Sequence, residues 1–180
     1  MPHLLLTGAP GIGKSTLVRR VIETLPDRTL RGFLTEEIRE QQQRVGFSIR
    51  TVDGLAATLA HVRLVSPTGV GPYRVNLAAL EQIVDAALLP APGVDLYVID
   101  EIGKMECCSP RFVGAAEHLL AGTVPVLATI SQRGGGAMAT LRQQPNTTLW
   151  TVTQQNRDRL PAAILQWLSA PSNVSEPSQI

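Results

Sequence analysis

Short all-apolar runs alternate along the chain with segments whose apolar residues recur every three or four positions. Leu4-Leu5-Leu6 is such a run and stops at Gly8, which predicts a buried strand. Leu17, Val18, Val21 and Ile22 then mark one face of a helix over Ser15 to Leu25. From Phe33 to Val52 the period falls to two, clearest at Val45, Phe47 and Ile49. Polar Glu40 to Arg44 separates the two halves, and the pattern predicts a β-hairpin. Between 53 and 76, Gly54, Pro67, Gly69, Gly71 and Pro72 keep any elements short, with room for strands around Leu59 to Leu64 and Tyr73 to Val75.

Helical spacing returns at Leu77, Leu80, Val84 and Leu88 and is closed by Pro90 to Gly93. Val94 to Ile99 then predicts a second buried strand, stopping at Asp100-Glu101. Ser109-Pro110 offers a capping hydroxyl and a proline at the first helical position for a helix striped by Phe112, Val113, Ala116 and Leu120, which Gly122 ends. Val124 to Ile130 and Leu149 to Val152 read as further strands, with a flexible Gly134-Gly135-Gly136 loop between them. A last helix spans Leu160 to Leu168, its start set by Pro161. Residues 170–180 are expected to be a disordered tail, which leaves 1–169 as a single domain. Apolar strands alternating with helices predict an α/β fold: a mostly parallel sheet, helices on both faces, right-handed crossovers.

Bulk composition narrows the classes. A chain of 180 residues suits one domain with a real core. Hydrophobic residues at 44%, charged residues at 17% and a net charge of +1 give no general reason to expect nucleic acid, although a local basic patch would escape that sum. The first glycine turn arrives after seven residues, too soon for a secretory signal. No apolar run approaches the roughly 18 residues of a membrane helix, so a cytoplasmic protein is expected. Cys107 and Cys108, the only cysteines, are adjacent and are expected to stay reduced, as small apolar residues rather than nucleophiles or ligands.

Candidate chemistry begins at the first strand end. Gly8-Ala9-Pro10-Gly11-Ile12-Gly13-Lys14-Ser15 is glycine, four residues, glycine, lysine and a hydroxyl, lying between a predicted strand and a predicted helix: the phosphate-binding P-loop in its confirming context. Glycines let successive backbone N–H groups turn inward, and the following helix adds its positive end. Lys14 would reach the β- and γ-phosphates, Ser15 would give its hydroxyl to Mg²⁺, and Thr16 would bond the α-phosphate.

At the end of the second strand, Asp100 is placed to hold Mg²⁺ through water, and Glu101 to polarise a water in line with the γ-phosphorus. If the strand ending at Thr129 to Ser131 lies between the other two, a hydroxyl there could sense the γ-phosphate. Lys104, on the loop after Gly103, could reach a phosphate or be an ordinary solvated lysine. Glu36 and Glu37 could face the metal or simply guard an exposed strand. Arg157, beside Asn156, could approach the base or phosphates. Arg133, near the triple glycine, could be a mobile charge donor; a surface arginine is the alternative for each.

Asp100-Glu101-Ile102-Gly103-Lys104-Met105-Glu106 is more than a generic carboxylate strand. It resembles the signature of the small P-loop nucleoside-triphosphatases first known from thermophiles, whose vertebrate relative is called cancer-related nucleoside-triphosphatase. Gly32-Phe33-Leu34-Thr35-Glu36-Glu37, Gly46-Phe47, Val70-Gly71-Pro72-Tyr73 and Thr153 to Arg157 resemble the same family, so the likeness spans residues 4 to about 168. The resemblance implies a RecA-like P-loop domain with extra strands. It also implies Mg²⁺-dependent hydrolysis of ATP, GTP, CTP and UTP to diphosphate and phosphate with little preference for the base. Cys107-Cys108, the uncharged Leu55-Ala56-Ala57 and the tail depart from the pattern; none touches Lys14, Ser15, Asp100 or Glu101.

Other P-loop classes fit less well. A guanine-reading switch is disfavoured because Asn156-Arg157-Asp158-Arg159 lacks the lysine whose stem would cover the base. A kinase would use the same loop and carboxylates on a hydroxyl of a nucleoside, nucleotide or polynucleotide, but Arg133 to Arg142 holds few arginines for a lid. A nucleotide-dependent binding module for nucleic acid or protein is the non-enzymatic alternative. The expected protein is a monomer, off the membrane, that hydrolyses nucleoside triphosphates slowly, with Lys14 and Glu101 as its catalytic pair.

Overall fold

The computed structural model describes residues 3–169. The expected tail lies outside these residues.

Strand β1 (His3–Thr7) leads through the phosphate loop into helix α1 (Lys14–Glu23). Strands β2 (Leu30–Glu40) and β3 (Gln43–Thr51) form the expected hairpin, turned at Gln41 and Gln42 with φ of 46° and 66°, the two positive values a type I′ connection requires. Three short strands follow, β4 (Ala56–His61), β5 (Gly69–Val70) and β6 (Tyr73–Val75), then helix α2 (Leu77–Ala87) and strand β7 (Leu96–Ile102). After a 3₁₀ turn at Glu106–Cys108 come α3 (Pro110–Ala121), β8 (Val126–Ile130), α4 (Ala137–Arg142), β9 (Thr147–Thr151) and α5 (Leu160–Ser169). Ser109 caps α3 as expected, its Oγ accepting the Phe112 N–H at 3.2 Å.

Among the described residues all nine strands join one sheet in the order β5-β6-β4-β3-β2-β7-β8-β1-β9. The run from β2 to β9 is parallel and the run from β2 outward to β5 is antiparallel. The hairpin is therefore rooted in the sheet. Leu30 to Phe33 of β2 pair with Leu96 to Ile99 of β7, and the rest of β2 carries β3 past the sheet's carboxyl edge.

Alternation along each strand divides the apolar residues between two layers. Leu5, Phe33, Tyr97, Ile99, Ala128 and Ile130 meet α2, α3 and α4 on one face. Leu4, Leu6, Val98, Leu127 and Trp150 meet Leu17, Val18 and Val21 of α1 and Ile164 and Trp167 of α5 on the other. Helices thus cover both faces, as the apolar runs required.

Three details differ from expectation. The strand expected around Leu59 to Leu64 starts and ends earlier, because pairing of Ala60 with Phe47 holds it in register while Val62 is exposed. The short helix α4, its Met138 and Leu141 buried, was hidden behind the triple glycine, since six residues are too few to show a period. Strand β7 does not stop at Asp100-Glu101: its ladder to β8 breaks after Ile99 and resumes at Ile102, which is fully buried.

Candidate active site

The phosphate loop sits where β1 meets α1, at the carboxyl edge of the parallel strands. Gly8 has φ of 152°, and a Cβ there would stand 2.6 Å from the Val152 carbonyl oxygen, so the loop's first position admits only glycine. Lys14, 8% exposed, folds back into the loop: its Nζ donates to the Gly8 carbonyl at 3.3 Å and lies 3.9 Å from Oε2 of Glu101. Ile12 packs instead against the α1/α5 layer, so its place in the motif holds the loop down.

Asp100 is fully buried. Its Oδ1 accepts the Ser15 hydroxyl at 3.1 Å and the Thr129 hydroxyl at 2.5 Å, while its Oδ2 is buried without a partner. Burial pushes this carboxyl above its ordinary pKa, opposed by the two hydroxyls. A buried, unpartnered carboxylate oxygen beside a serine hydroxyl is a hard oxygen donor set and fits Mg²⁺. Among the described residues no group of three or more His, Cys, Asp or Glu could hold a metal ion.

Strand β8 does lie between β1 and β7, and it carries two hydroxyls with different partners. Thr129 is buried on Asp100, whereas Ser131 donates to Oε1 of Glu101 at 2.5 Å. The Ser131 backbone is itself pinned, its N–H donating to the Ile102 carbonyl at 3.2 Å and its carbonyl accepting Arg142 Nη2 at 2.6 Å. Glu101 is thus oriented through one oxygen while the other faces the lysine.

Glu106, from the 3₁₀ turn, is 5% exposed, and burial raises its pKa to about 8, with the nearby Glu101 and Asp100 charges adding to the shift. A Cβ on Gly103 would lie 2.8 Å from Glu106 Oε2 and 3.4 Å from Glu101 Oε1, so the missing side chain at 103 is what lets the two carboxyls converge. Its neighbour Cys107 is driven to about 12 by burial and stays a thiol, as expected of a packing residue.

Lys14, Ser15 and Glu101 open into one cavity of about 980 Å³, bounded by the phosphate loop and Thr16, by Ser131-Gln132-Arg133 after β8, and by the overhanging hairpin, with Asp100 and Glu106 buried behind it. The hairpin contributes Thr35, Glu36, Glu37, Arg39, Arg44 and Phe47. Glu37 accepts Arg39 Nε at 2.8 Å and Arg44 Nη1 at 2.9 Å, and Arg44 holds its pKa low. Arg44 also donates to the Tyr73 hydroxyl at 3.0 Å and lies 5.2 Å over the Phe47 ring. Glu36 pairs with Arg19 of α1. The hairpin acids are therefore occupied by arginines.

Lys104 and Arg157 do not line this cavity. Lys104 is exposed. Arg157 is exposed with Nε 4.0 Å from Asp158. Its loop nonetheless abuts the phosphate loop through Val152 and is ordered by Asn156, whose side chain accepts the Thr153 N–H and donates to the Thr151 carbonyl, each at 2.8 Å. Sequence reasoning passed over Arg39, Arg44, Phe47 and the burial of Glu106. Only the hairpin's period-two pattern, by putting 37, 39, 44 and 47 near one another, could have suggested the first three.

A P-loop lysine reaching a carboxylate that follows a buried aspartate is the arrangement of a nucleotide-handling enzyme, and the family model described as NTPase matches residues 3–165. The chain belongs to the NTPase family. The chain is 37% identical over 166 residues to the nucleoside-triphosphatase THEP1 of Thermotoga maritima, covering 92% of this chain and 94% of that protein. The human cancer-related nucleoside-triphosphatase is 37% identical over 175 residues, covering 88% and 92%. The crystal structure of THEP1 from the hyperthermophile Aquifex aeolicus superposes with a TM-score of 0.85 at 34% identity, over 93% of this chain and 99% of that one. The α/β P-loop architecture expected from the sequence is thus shared with solved members of the family.

Proposed function

We propose that this NTPase-family chain hydrolyses nucleoside 5′-triphosphates to the diphosphate and phosphate, with Mg²⁺, little preference between ATP, GTP, CTP and UTP, and slow turnover. The observation that carries the reading is Glu101, oriented by the Ser131 hydroxyl and 3.9 Å from Lys14 in one cavity.

In this reading the backbone N–H groups of residues 8–14, Pro10 excepted because it has none, and Thr16 hold the phosphates, with Lys14 leaving the Gly8 carbonyl for the β- and γ-oxygens. Ser15 and, through water, Asp100 would hold Mg²⁺, which would supply positive charge to the β- and γ-phosphates. Glu101 accepts a proton from water as the water oxygen bonds to the γ-phosphorus and the bond to the bridging oxygen breaks, leaving diphosphate. Thr129 fixes the Asp100 carboxylate and Ser131 fixes Glu101. Lys104 and Arg157 are proposed to contact the nucleotide from the loops beside the cavity once it is bound. The same reading makes residues 1–169 one domain working as a cytosolic monomer, where nucleoside triphosphates are abundant and unpaired thiols stay reduced.

Phosphate release from the four nucleotides with Mg²⁺, for the parent, Lys14→Ala and Glu101→Gln proteins and without an added acceptor, tests this. Release from several nucleotides that both substitutions abolish supports it. Tight nucleotide binding with no release would refute hydrolysis and favour transfer to a hydroxyl.

A further inference from the structure

Hydrolysis on this loop leaves charge unanswered. As the bond to the γ-phosphorus breaks, negative charge spreads over oxygens that already face Glu101, and beside the metal Lys14 is the one cation of the phosphate loop. P-loop hydrolases meet this need with an arginine, supplied from the same chain or from a partner.

Among the described residues three arginines line the cavity: Arg39, Arg44 and Arg133. The hairpin pair are committed. Both hold Glu37, and Arg44 is further fixed by Tyr73 and Phe47. Moving either toward a phosphate would break its own ion pair with Glu37. Arg133 has no carboxylate partner among the described residues and is exposed.

Its place in the sheet matters as much. Arg133 follows β8, which lies between the strand that carries the phosphate loop and the strand that carries Glu101. Two residues before it, Ser131 is pinned by Ile102 and Arg142 and holds Glu101. Directly after it come three glycines, with φ of 148° at Gly134 and 58° at Gly136. The arginine thus stands between a fixed anchor tied to Glu101 and a stretch of backbone with few conformational restrictions.

We propose that Arg133 is a catalytic residue that meets the γ-phosphate oxygens in the transition state, so that this chain carries its own arginine and needs none from a partner. The proposal rests on the hydrolytic reading above. It assigns Arg39 and Arg44 to the hairpin's structure instead.

The test compares the parent with Arg133→Ala, Arg133→Lys and Arg39→Ala in three measurements: kcat with Mg²⁺ and ATP, binding of a non-hydrolysable ATP analogue, and binding of Mg²⁺–ADP with and without aluminium fluoride. Arg133→Ala should lower kcat by about a thousandfold and keep analogue affinity within about threefold, which also shows that it is folded. It should bind Mg²⁺–ADP normally but lose the extra tightness that aluminium fluoride confers on the parent. Arg133→Lys should fall between, because a point charge replaces the fork, and free guanidinium should restore part of the Arg133→Ala rate. A kcat within threefold of the parent, or a collapse on Arg39→Ala with Arg133→Ala unaffected, would overturn the assignment. If the parent released no phosphate, the hydrolytic reading would fail by itself. The aluminium fluoride comparison would still decide Arg133.

Discussion

Replacing Glu106 with glutamine should make the folded protein more stable above neutral pH and leave it nearly unchanged in mild acid. The carboxyl is buried at 5% exposure and its pKa rises from 4.5 to about 8. The folded state therefore binds this proton more tightly than the unfolded chain does. The stability that the bound proton confers is complete below pH 4.5 and is lost as pH rises toward about 8. A shift of that size, at about 1.4 kcal/mol per unit, corresponds to on the order of 5 kcal/mol across the window. Glutamine keeps the shape and polarity of the neutral acid but cannot ionise, so it removes this dependence.

Urea unfolding of both proteins, in chelator so that no metal binds Asp100, should give free energies within about 1 kcal/mol of each other at pH 5. By pH 8 the variant should lead by several kcal/mol, a large part of the about 5–15 kcal/mol typical of a domain. A difference independent of pH between 5 and 8.5 would refute the reasoning, because it would mean that Glu106 is already ionised in the folded state at pH 5.

Three further substitutions probe the site. Thr129→Val removes a hydroxyl that donates to Asp100; the Mg²⁺ concentration for half-maximal phosphate release should rise about tenfold, in the range seen when a ligand's supporting partner is lost, with the fold intact by circular dichroism. Gly8→Ala would drive a methyl to 2.6 Å from the Val152 carbonyl oxygen; nucleotide affinity measured by calorimetry should fall at least tenfold as the loop shifts. Phe112→Ala empties a fully buried position against Phe33 in the layer facing α2; unfolding should become easier by about 3–5 kcal/mol, without a change in nucleotide selectivity.

The parts of this protein that depend on local chemistry were open to direct reading. Residues 8–15 announce a phosphate loop because the glycines and the lysine are needed at fixed separations along one turn, and the turn's chemistry is carried by its own backbone. Leu4-Leu5-Leu6 and the run before Asp100 reveal buried strands because a strand covered on both faces has no polar side to show. The hairpin's alternation reports one covered face and one open one.

What depended on chain segments meeting across the sheet was not legible in this way. That Thr129 and Ser131 reach Asp100 and Glu101 follows from β8 lying between β1 and β7, an order that no separation along the chain encodes. That the hairpin carrying Glu37, Arg39 and Arg44 roofs the phosphate loop follows from β2 pairing with β7. Glu106 closed the Asp100 to Glu106 signature without a role of its own. Its burial comes from how the 3₁₀ turn that carries it packs in the fold, and a carboxyl's charge state is a property of those surroundings rather than of the residue. Local sequence thus settled which backbone could cradle a phosphate, and packing settled which side chains stand around it and how they are charged.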